Sequence, residues 1–270
     1  MDYITNKLII VFVFMLIISM VETLAYATRL SGARVGFIAS AVALFNLLII
    51  VSRFSVMIQQ PLTGKLISEA SSQDKLDIIA TQYRIIIGST TVGTLLGILL
   101  LPTFIILFSK SIIQLSIGNG SIVELIYKCL NPKGLKKCFQ YIRTPNLSYL
   151  QGMNFSDFPK RLFITNIVIT SVYTIGVLSS LYASLLVPEN AASAIMSSGI
   201  INGIATILLT IFVDPKISIL ADRVMKSRAS YSNLKIYTVA MVTSKLLGTI
   251  FAQLLFIPGA YYIAWFSGWI

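Results

Sequence analysis

Residues 8–27 read LIIVFVFMLIISMVETLAYA, and this stretch, in which Glu22 is the one charged side chain, decides the fold. A bilayer core about 30 Å thick is crossed by roughly 20 helical residues. The stretch therefore predicts a membrane-spanning helix. Its A-x-A ending at residues 25–27 imitates a signal-peptide cleavage site. However, only Lys7 precedes it as a basic residue and Glu22 interrupts the approach, so we expect a retained first span.

Five further stretches have the same apolar character. They are residues 35–51, 85–108, 162–187, 191–213 and 236–259. The stretch 35–51 reaches full spanning length if it continues to Ile58. The chain is 56% hydrophobic and 11% charged, whereas about a quarter of the residues in soluble domains are charged. We predict an all-α integral membrane protein with six transmembrane helices in a single transmembrane domain over 1–270.

Positive charge is distributed unevenly between the loops. The net charge is +11, and fifteen of the 21 Lys and Arg residues lie in or beside the loops that follow the first, third and fifth spans. Loops rich in Lys and Arg stay on the cytoplasmic side of a membrane. Both termini are therefore predicted to face outward, in a multi-pass protein of the bacterial cytoplasmic membrane. Because the charges fall in blocks between apolar runs, we do not expect nucleic-acid binding.

The segment 111–161 is basic, with apolar residues at helical spacing. One interpretation is a set of interfacial helices lying on the inner leaflet, where Lys and Arg meet anionic lipid. The other is a basic loop that only sets the orientation of the protein.

The chain offers few groups for catalysis. It has no His, and its two cysteines, Cys129 and Cys138, are too few for a disulfide framework or a zinc site. Residues 63–65, Thr-Gly-Lys, lack the upstream glycine of a phosphate-binding loop. Asp and Glu are scattered, without a cluster that would hold Mg²⁺. We expect no cofactor, no metal and no catalytic residue, and therefore not an enzyme.

The two halves of the chain resemble each other weakly. A shift of about 156 positions aligns Tyr26 with Tyr182, and small slips then align 95–97 with 246–248. A directly repeated unit of three spans must insert its second copy upside down, as in many secondary transporters. We predict two inverted three-helix repeats, with chance similarity between apolar helices as the alternative. The repeats would be 1–110 and 162–270, with helix-breaking Pro61 and Pro215 at matching span ends.

Two opposite charges are predicted inside spans. Lys245 lies nine residues past Ile236, and Glu22 lies seven residues before Arg29, which places them roughly 14 Å and 10 Å deep. They are expected at similar depth. Either Lys245 contacts an anionic group of the substrate and Glu22 balances it in an empty site, or the two form a permanent structural ion pair.

Five further polar residues are candidates for binding substrate. Arg29 and Arg34 are predicted in a short cytoplasmic turn, where their guanidinium groups could clamp a pyrophosphate or only orient the protein. Arg53 is predicted at the outer interface, where it could receive the same head group or merely snorkel. Asn46 and Asn202 occupy equivalent positions in the two repeats, and could line a polar path or bond across helices.

The stretch 22–34, ETLAYATRLSGAR, resembles the Amj family of alternate lipid II flippases from Gram-positive bacteria. The likeness continues through 44–46 (LFN), 52–53 (SR) and 60–62 (QPL), and the segment 202–215 resembles the family's second half.

The resemblance implies translocation of lipid II, the undecaprenyl-pyrophosphate-linked disaccharide-pentapeptide, to the outer leaflet for peptidoglycan synthesis. It carries over Glu22, Arg29, Arg34, Arg53 and Gln60 as motif positions, without assigning them roles. Lipid II and membrane lipids are the expected partners, with cell-wall synthases as further candidates. Composition and spacing alone leave three alternatives open: an exporter of another anionic lipid or small molecule, a membrane enzyme acting on polyprenyl phosphates, and a scaffold for cell-wall synthases.

Overall fold

The computed structural model describes residues 4–70, 74–117 and 158–269, and every regular element in these ranges is helical. The α-helices are α1 (Asn6–Val35), α2 (Ile38–Glu69), α3 (Lys75–Ile117), α4 (Lys160–Leu186), α5 (Ala191–Leu208), α6 (Asp214–Met225) and α7 (Tyr231–Ser267). A 3-10 turn, Pro188–Asn190, precedes α5, and a π-helical turn, Leu209–Val213, joins α5 to α6. Six segments are long and apolar enough to cross a membrane, with Pro188–Met225 counted as one.

The predicted spans correspond one by one to these six segments, so an all-helical chain with six candidate membrane spans is confirmed. Helix α2 continues past Ile58, as its spanning length required. It begins at Ile38 rather than at the predicted Val35, because Gly36 ends α1. Gly36 has a φ of 82°, a left-handed conformation that glycine adopts without a steric penalty.

The two prolines predicted at span ends occupy different positions. Pro61 lies inside α2, so the prediction that it breaks the helix is wrong. Neighbouring helices and side chains can satisfy the carbonyl group that a proline frees in a membrane helix. Pro215 lies in the first turn of α6, one residue after the π turn, and such a local irregularity accommodates a proline, which has no N–H to donate.

The basic segment 111–161, with its predicted interfacial helices, lies mostly outside the described residues. Residues 111–117 continue α3 and residues 160–161 begin α4. Cys129 and Cys138 also lie outside the described residues.

Serine hydroxyl groups connect the first and third helices. The Oγ of Ser19 donates to the carbonyl oxygen of Thr90 at 2.8 Å, and the Oγ of Ser31 donates to that of Ile105 at 3.0 Å. Both partners advance along the chain together, so α1 and α3 run parallel. Helix α2 packs mainly against α1.

The second half contains a matching pair. The Oγ of Ser171 donates to the carbonyl oxygen of Gly248 at 2.9 Å, and the Oγ of Ser179 donates to that of Phe256 at 2.9 Å. Helices α4 and α7 therefore run parallel, and α5 packs mainly against α4.

The two halves meet with opposite directions. The Tyr231 hydroxyl lies 3.5 Å from the carbonyl oxygen of Leu30, whereas Lys245, further along α7, contacts Glu22, earlier on α1. Helix α7 is thus antiparallel to α1.

Glycines allow the parallel helices to approach closely. A Cβ atom added at Gly97 of α3 would lie 2.7 Å from the Cβ of Thr23, and one added at Gly248 of α7 would lie 2.7 Å from the Cβ of Thr170. Such small residues are the usual means of close helix contact in membranes, where no hydrophobic effect drives helices together.

Two clusters of buried apolar side chains occupy opposite ends of the bundle. The first includes Leu30, Phe108, Val213 and Leu234, and the second includes Val11, Tyr83, Leu178 and Phe256. Between the clusters lie Ser19 and Glu22 on α1, Thr90 and Thr94 on α3, and Lys245 on α7. The fold thus encloses a polar layer between two apolar layers.

Candidate functional site

An ion pair stands at the centre of the polar layer. The Nζ of Lys245 lies 3.0 Å from Oε2 of Glu22, and the two side chains are 8% and 15% exposed. The hydroxyl of Ser52 donates to Oε1 of Glu22 at 2.7 Å, and Lys245 also donates to the carbonyl oxygen of Ser19 at 3.3 Å. The predicted meeting of Glu22 and Lys245 is confirmed, and hydrogen bonds hold both partners in place.

Arg53 reaches the same centre from α2. Its Cζ lies 4.3 Å from the ring centroid of Tyr173 on α4, within the range of a cation–π interaction. The prediction that Arg53 sits at the outer interface is wrong, because α2 continues from Arg53 to Glu69 and so carries the guanidinium inside the bundle. Arg53 and Lys245 therefore approach Glu22 from different helices.

A cavity opens beside these charges. Its walls come from α1, α2, α3, α4, α5, α7 and the π turn. Its volume, counted over the positions that a water centre can occupy, is about 90 Å³. One water needs about 10–15 Å³ of such volume, so the cavity has room for several waters. The charged residues of its lining are Glu22, Arg53 and Lys245, which together carry a net charge of +1.

This charge balance suits an anionic ligand. A phosphate group entering the cavity could replace Glu22 as the partner of both cations, and its bonds to them would be charge-assisted. Within the described ranges, no group of three or more His, Cys, Asp or Glu residues is arranged to hold a metal ion.

At one end of the cavity stand four residues that we call the plug: Tyr26, Phe45, Arg29 and Asp214. The rings of Tyr26 and Phe45 line the cavity, with centroids 6.5 Å apart. One turn further along α1, the Cζ of Arg29 lies 3.9 Å from the Phe45 centroid. Its Nη2 donates to Oδ1 of Asp214 at 3.1 Å. The plug joins α1 and α2 to α6.

The predicted turn containing Arg29 and Arg34 is wrong, because α1 runs through both residues. Five residues of helix turn through about 500°, so the two side chains point in different directions and cannot form one clamp. Arg29 is 3% exposed. Arg34 is exposed and lines a separate surface groove with Lys235. A role of either arginine in binding substrate stays a prediction.

The two asparagines are not placed alike. Asn202 lines the central cavity, close against Gly176 of α4. Asn46 is exposed and does not belong to the cavity lining, although its neighbour Phe45 does. Asn202 thus joins Glu22, Arg53 and Lys245, whereas Asn46 does not.

Sequence reasoning missed three residues of this region. Asp214 follows directly on an apolar span, and an acidic side chain in that place is a signal that could have identified it. Ser52 precedes Arg53, but a serine in a span is ordinary. Tyr173 has no distinguishing signal, because its contact with Arg53 depends on how α4 packs beside α2.

Similarity to known proteins agrees with the motifs of the sequence. The chain matches the Amj family, described as Alternate to MurJ, over residues 14–267. It is 56% identical over 269 residues to a protein of Bacillus subtilis (strain 168) named Lipid II flippase Amj, and the match covers 100% of both chains. No solved structure matches it. With a family match along nearly its whole length and a full-length relative at this identity, the chain belongs to the Amj family.

Proposed function

We propose that this chain flips lipid II from the inner to the outer leaflet of the bacterial cytoplasmic membrane. The observation that carries the proposal is the cavity between the two apolar clusters, where Lys245 and Arg53 surround one carboxylate, Glu22. A lipid-linked pyrophosphate is the kind of anion that this excess of positive charge favours. The B. subtilis relative is named as a lipid II flippase, and this supports lipid II as the substrate because the identity of 56% extends over the full chain.

Transport requires the cavity to widen. A cavity of about 90 Å³ has room for waters but not for a disaccharide-pentapeptide. Helix α2 and the Pro188–Met225 segment are suited to move because they are loosely packed. Only 22% and 11% of the residues in their most apolar stretches are buried, against 50% for α7. Their separation would admit the head group from the side, while the polyprenyl tail remains in lipid.

The proposal includes two inverted repeats, 1–110 and 162–270. Each half has a parallel pair of helices, α1 with α3 and α4 with α7, and the halves run in opposite directions. Gly97 and Gly248, which the sequence alignment pairs, make the same close approach in the two halves. These features support alternating access, in which one half rocks against the other around the central cavity.

The packing suggests a different register for the first helix of each repeat. Thr170 occupies the place opposite Gly248 that Thr23 occupies opposite Gly97. The shift of about 156 positions used in the sequence alignment would instead pair Thr23 with Ser179. A repeat in these helices is therefore supported by geometry rather than by the ungapped sequence match.

Orientation follows from charge at the two ends of the bundle. The plug end carries Arg34, Lys110, Lys160, Arg161, Lys216, Arg223, Lys226, Arg228 and Lys235 among its described residues, and the other end carries Lys7, Lys65, Lys75 and Arg84. By the positive-inside rule the plug end is cytoplasmic, and both termini face outward. The plug would then close the cavity on the side from which lipid II comes.

The test is lipid II exposure at the surface of a bacterium depleted of its principal flippase. We expect the chain to restore exposure and growth, and Arg53→Gln and the double variant Glu22→Gln/Lys245→Met to lose both at normal protein level. Lys226→Met is the matched control, because Lys226 is exposed and pairs with Asp222 one helical turn away. Correct insertion without restored exposure would contradict lipid II as the substrate and favour export of another anionic lipid or small molecule.

A further inference from the structure

The plug contains a buried guanidinium group, that of Arg29, with more N–H donors than hydrogen-bond acceptors around it. Arg29 is 3% exposed, and within the described part of the chain its Nη2 alone has an acceptor, one carboxylate oxygen of Asp214 at 3.1 Å. Its Nε and Nη1 have no hydrogen-bond partner among residues 4–70, 74–117 and 158–269. A guanidinium group presents five N–H donors in a rigid fork, and buried donors without acceptors cost free energy. The surroundings of Arg29 thus favour an additional anionic acceptor.

Arg29 lies in line with the central cavity. Ser19, Glu22, Tyr26 and Arg29 are spaced three or four residues apart and so share one face of α1. Glu22 and Tyr26 line the cavity, and Arg29 is the next polar group beyond it. The rise from Glu22 to Arg29 is roughly 10 Å at 1.5 Å per residue. An anion held by Arg29 would be one short step from Lys245 and Arg53.

Asp214 is placed by irregular backbone. The π turn Leu209–Val213 ends immediately before it, and Pro215 follows it. Both features are common points of bending in helices. The Asp214 side chain is 22% exposed, and Asp214 begins α6, which carries Asp222 and Arg223 near its other end, so this helix leads from Arg29 to the charged end of the bundle. The segment Pro188–Met225 can therefore bend next to Asp214, the residue that pairs with Arg29.

The surface beside Asp214 suits a lipid. Ile211 and Phe212, on the π turn, are 60% and 48% exposed. In a bilayer such side chains meet acyl chains, so an anion that reaches Arg29 here can carry a lipid tail. This apolar surface favours a lipid-linked diphosphate over a free one.

We propose that Arg29 is a second anion site, and that Asp214 occupies it when no substrate is bound. The unpartnered N–H groups of Arg29 donate bidentate hydrogen bonds to the phosphate oxygens of a lipid-linked diphosphate. Asp214 then leaves Arg29. Helix α6 then swings at the π turn, and the plug opens toward the cavity. The direction of traffic rests on the proposed function, whereas the binding step does not.

The first experiment measures binding of farnesyl diphosphate to the full chain in detergent micelles. Asp214→Asn removes the competing carboxylate and should bind about tenfold more tightly, while Arg29→Lys, which lacks the fork, should bind about tenfold more weakly. Asp222→Asn is the control, because Asp222 lies on the same helix and pairs with exposed Lys226. Unchanged or weaker binding by Asp214→Asn would show a purely structural pair and overturn the proposal.

Two further arms identify the ligand and guard against misfolding. Inorganic pyrophosphate should bind much more weakly than farnesyl diphosphate, and equal affinity would overturn the assignment to a lipid. The double variant Arg29→Gln/Asp214→Asn leaves no unpaired charge in the plug, so it should fold and yet lose the farnesyl diphosphate affinity. Retained affinity in this variant would place the site elsewhere.

The second experiment follows the plug directly. Ala205 lines the cavity and is 2% exposed, so an Ala205→Cys variant, with Cys129 and Cys138 replaced by Ser, reports access to it. We expect farnesyl diphosphate or Asp214→Asn to increase labelling by an impermeant thiol reagent applied from the cytoplasmic side of inverted vesicles. Unchanged labelling would overturn the opening step. If Arg29 binds farnesyl diphosphate but the protein does not export lipid II, the anion site is supported and the flippase proposal is contradicted. If lipid II export is unchanged when Arg29 is replaced, the flippase proposal is supported and the role of this site in it is contradicted.

Discussion

The Nζ atom of Lys245 on α7 lies 3.0 Å from Oε2 of Glu22 on α1, and this ion pair joins the two halves of the bundle at the wall of the central cavity. The same two side chains therefore affect both stability and the charge that a ligand meets. Their separate contributions can be measured, because charge can be removed from one partner or from both.

Removing one partner of this pair should destabilise the protein. Glu22→Gln or Lys245→Met leaves the other charge buried without its partner, which costs about 3–5 kcal/mol in free energy of unfolding. The double variant should recover most of this loss and still fail to export lipid II, because the cation at the cavity is gone. Thermal unfolding in detergent and lipid II exposure in cells check the two statements. An active double variant would remove both residues from the mechanism.

The Arg53–Tyr173 contact should depend on the aromatic ring and also on the phenol hydroxyl, which hydrogen-bonds with the guanidinium group. The cation–π interaction at 4.3 Å contributes about 0.5–2 kcal/mol. We expect Tyr173→Phe, which loses only the hydrogen bond, to lower lipid II exposure slightly, and Tyr173→Leu, which also loses the ring, to lower it several-fold. Arg53→Lys keeps the charge but loses the planar stack, and should lower it as well. Equal activity of the Phe and Leu variants would show that the ring does not position Arg53.

The close helix contacts predict sharp steric effects. Gly97→Ala and Gly248→Ala would each place a Cβ 2.7 Å from a threonine Cβ, and the backbone shift needed should cost about 1–3 kcal/mol. Gly203→Ala is the matched control, because no atom lies within 4 Å of a Cβ at that position. Unfolding midpoints of the three variants test this. A similar midpoint for all three would mean that the close approach does not limit stability.

Gly176 and Asn202 should be coupled. A Cβ at Gly176 would collide with the amide of Asn202 and lie 3.1 Å from Cγ2 of Ile201. Gly176→Ala alone should therefore displace Asn202 from the cavity wall and lower both stability and lipid II export. In an Asn202→Ala background the same change should be tolerated better, with a coupling of about 0.5–3 kcal/mol. Strictly additive effects in a double-mutant cycle would contradict this contact.

Export should respond to the membrane potential. Each negative charge that leaves a cytoplasm 100 mV negative gains about 2.3 kcal/mol, so the anionic pyrophosphate is driven outward. Lipid II export in sealed vesicles should rise with an imposed potential of this sign and fall when the gradient is abolished. Export that ignores the potential would mean that the protein's own charges move with the substrate or that another gradient drives transport.

The sequence alone determined the six candidate spans and the shared depth of Glu22 and Lys245. Both are local properties: the length of an apolar run is compared with bilayer thickness, and depth is a count of residues at a fixed helical rise. The positions of the helix ends were less predictable. The glycine cap at Gly36 and the continuation of α2 through Pro61 depend on one residue's conformation and on neighbouring packing.

The tertiary structure decided which polar groups share a site. It placed Arg53 at the central cavity instead of the outer interface, and it separated Asn46 from Asn202. It also paired Arg29 with Asp214, which lies 185 positions away. Helical periodicity fixes only which face of its own helix a side chain occupies. Which helix that face meets depends on packing across the whole bundle, and small residues such as Gly97 and Gly248 set how closely the helices meet.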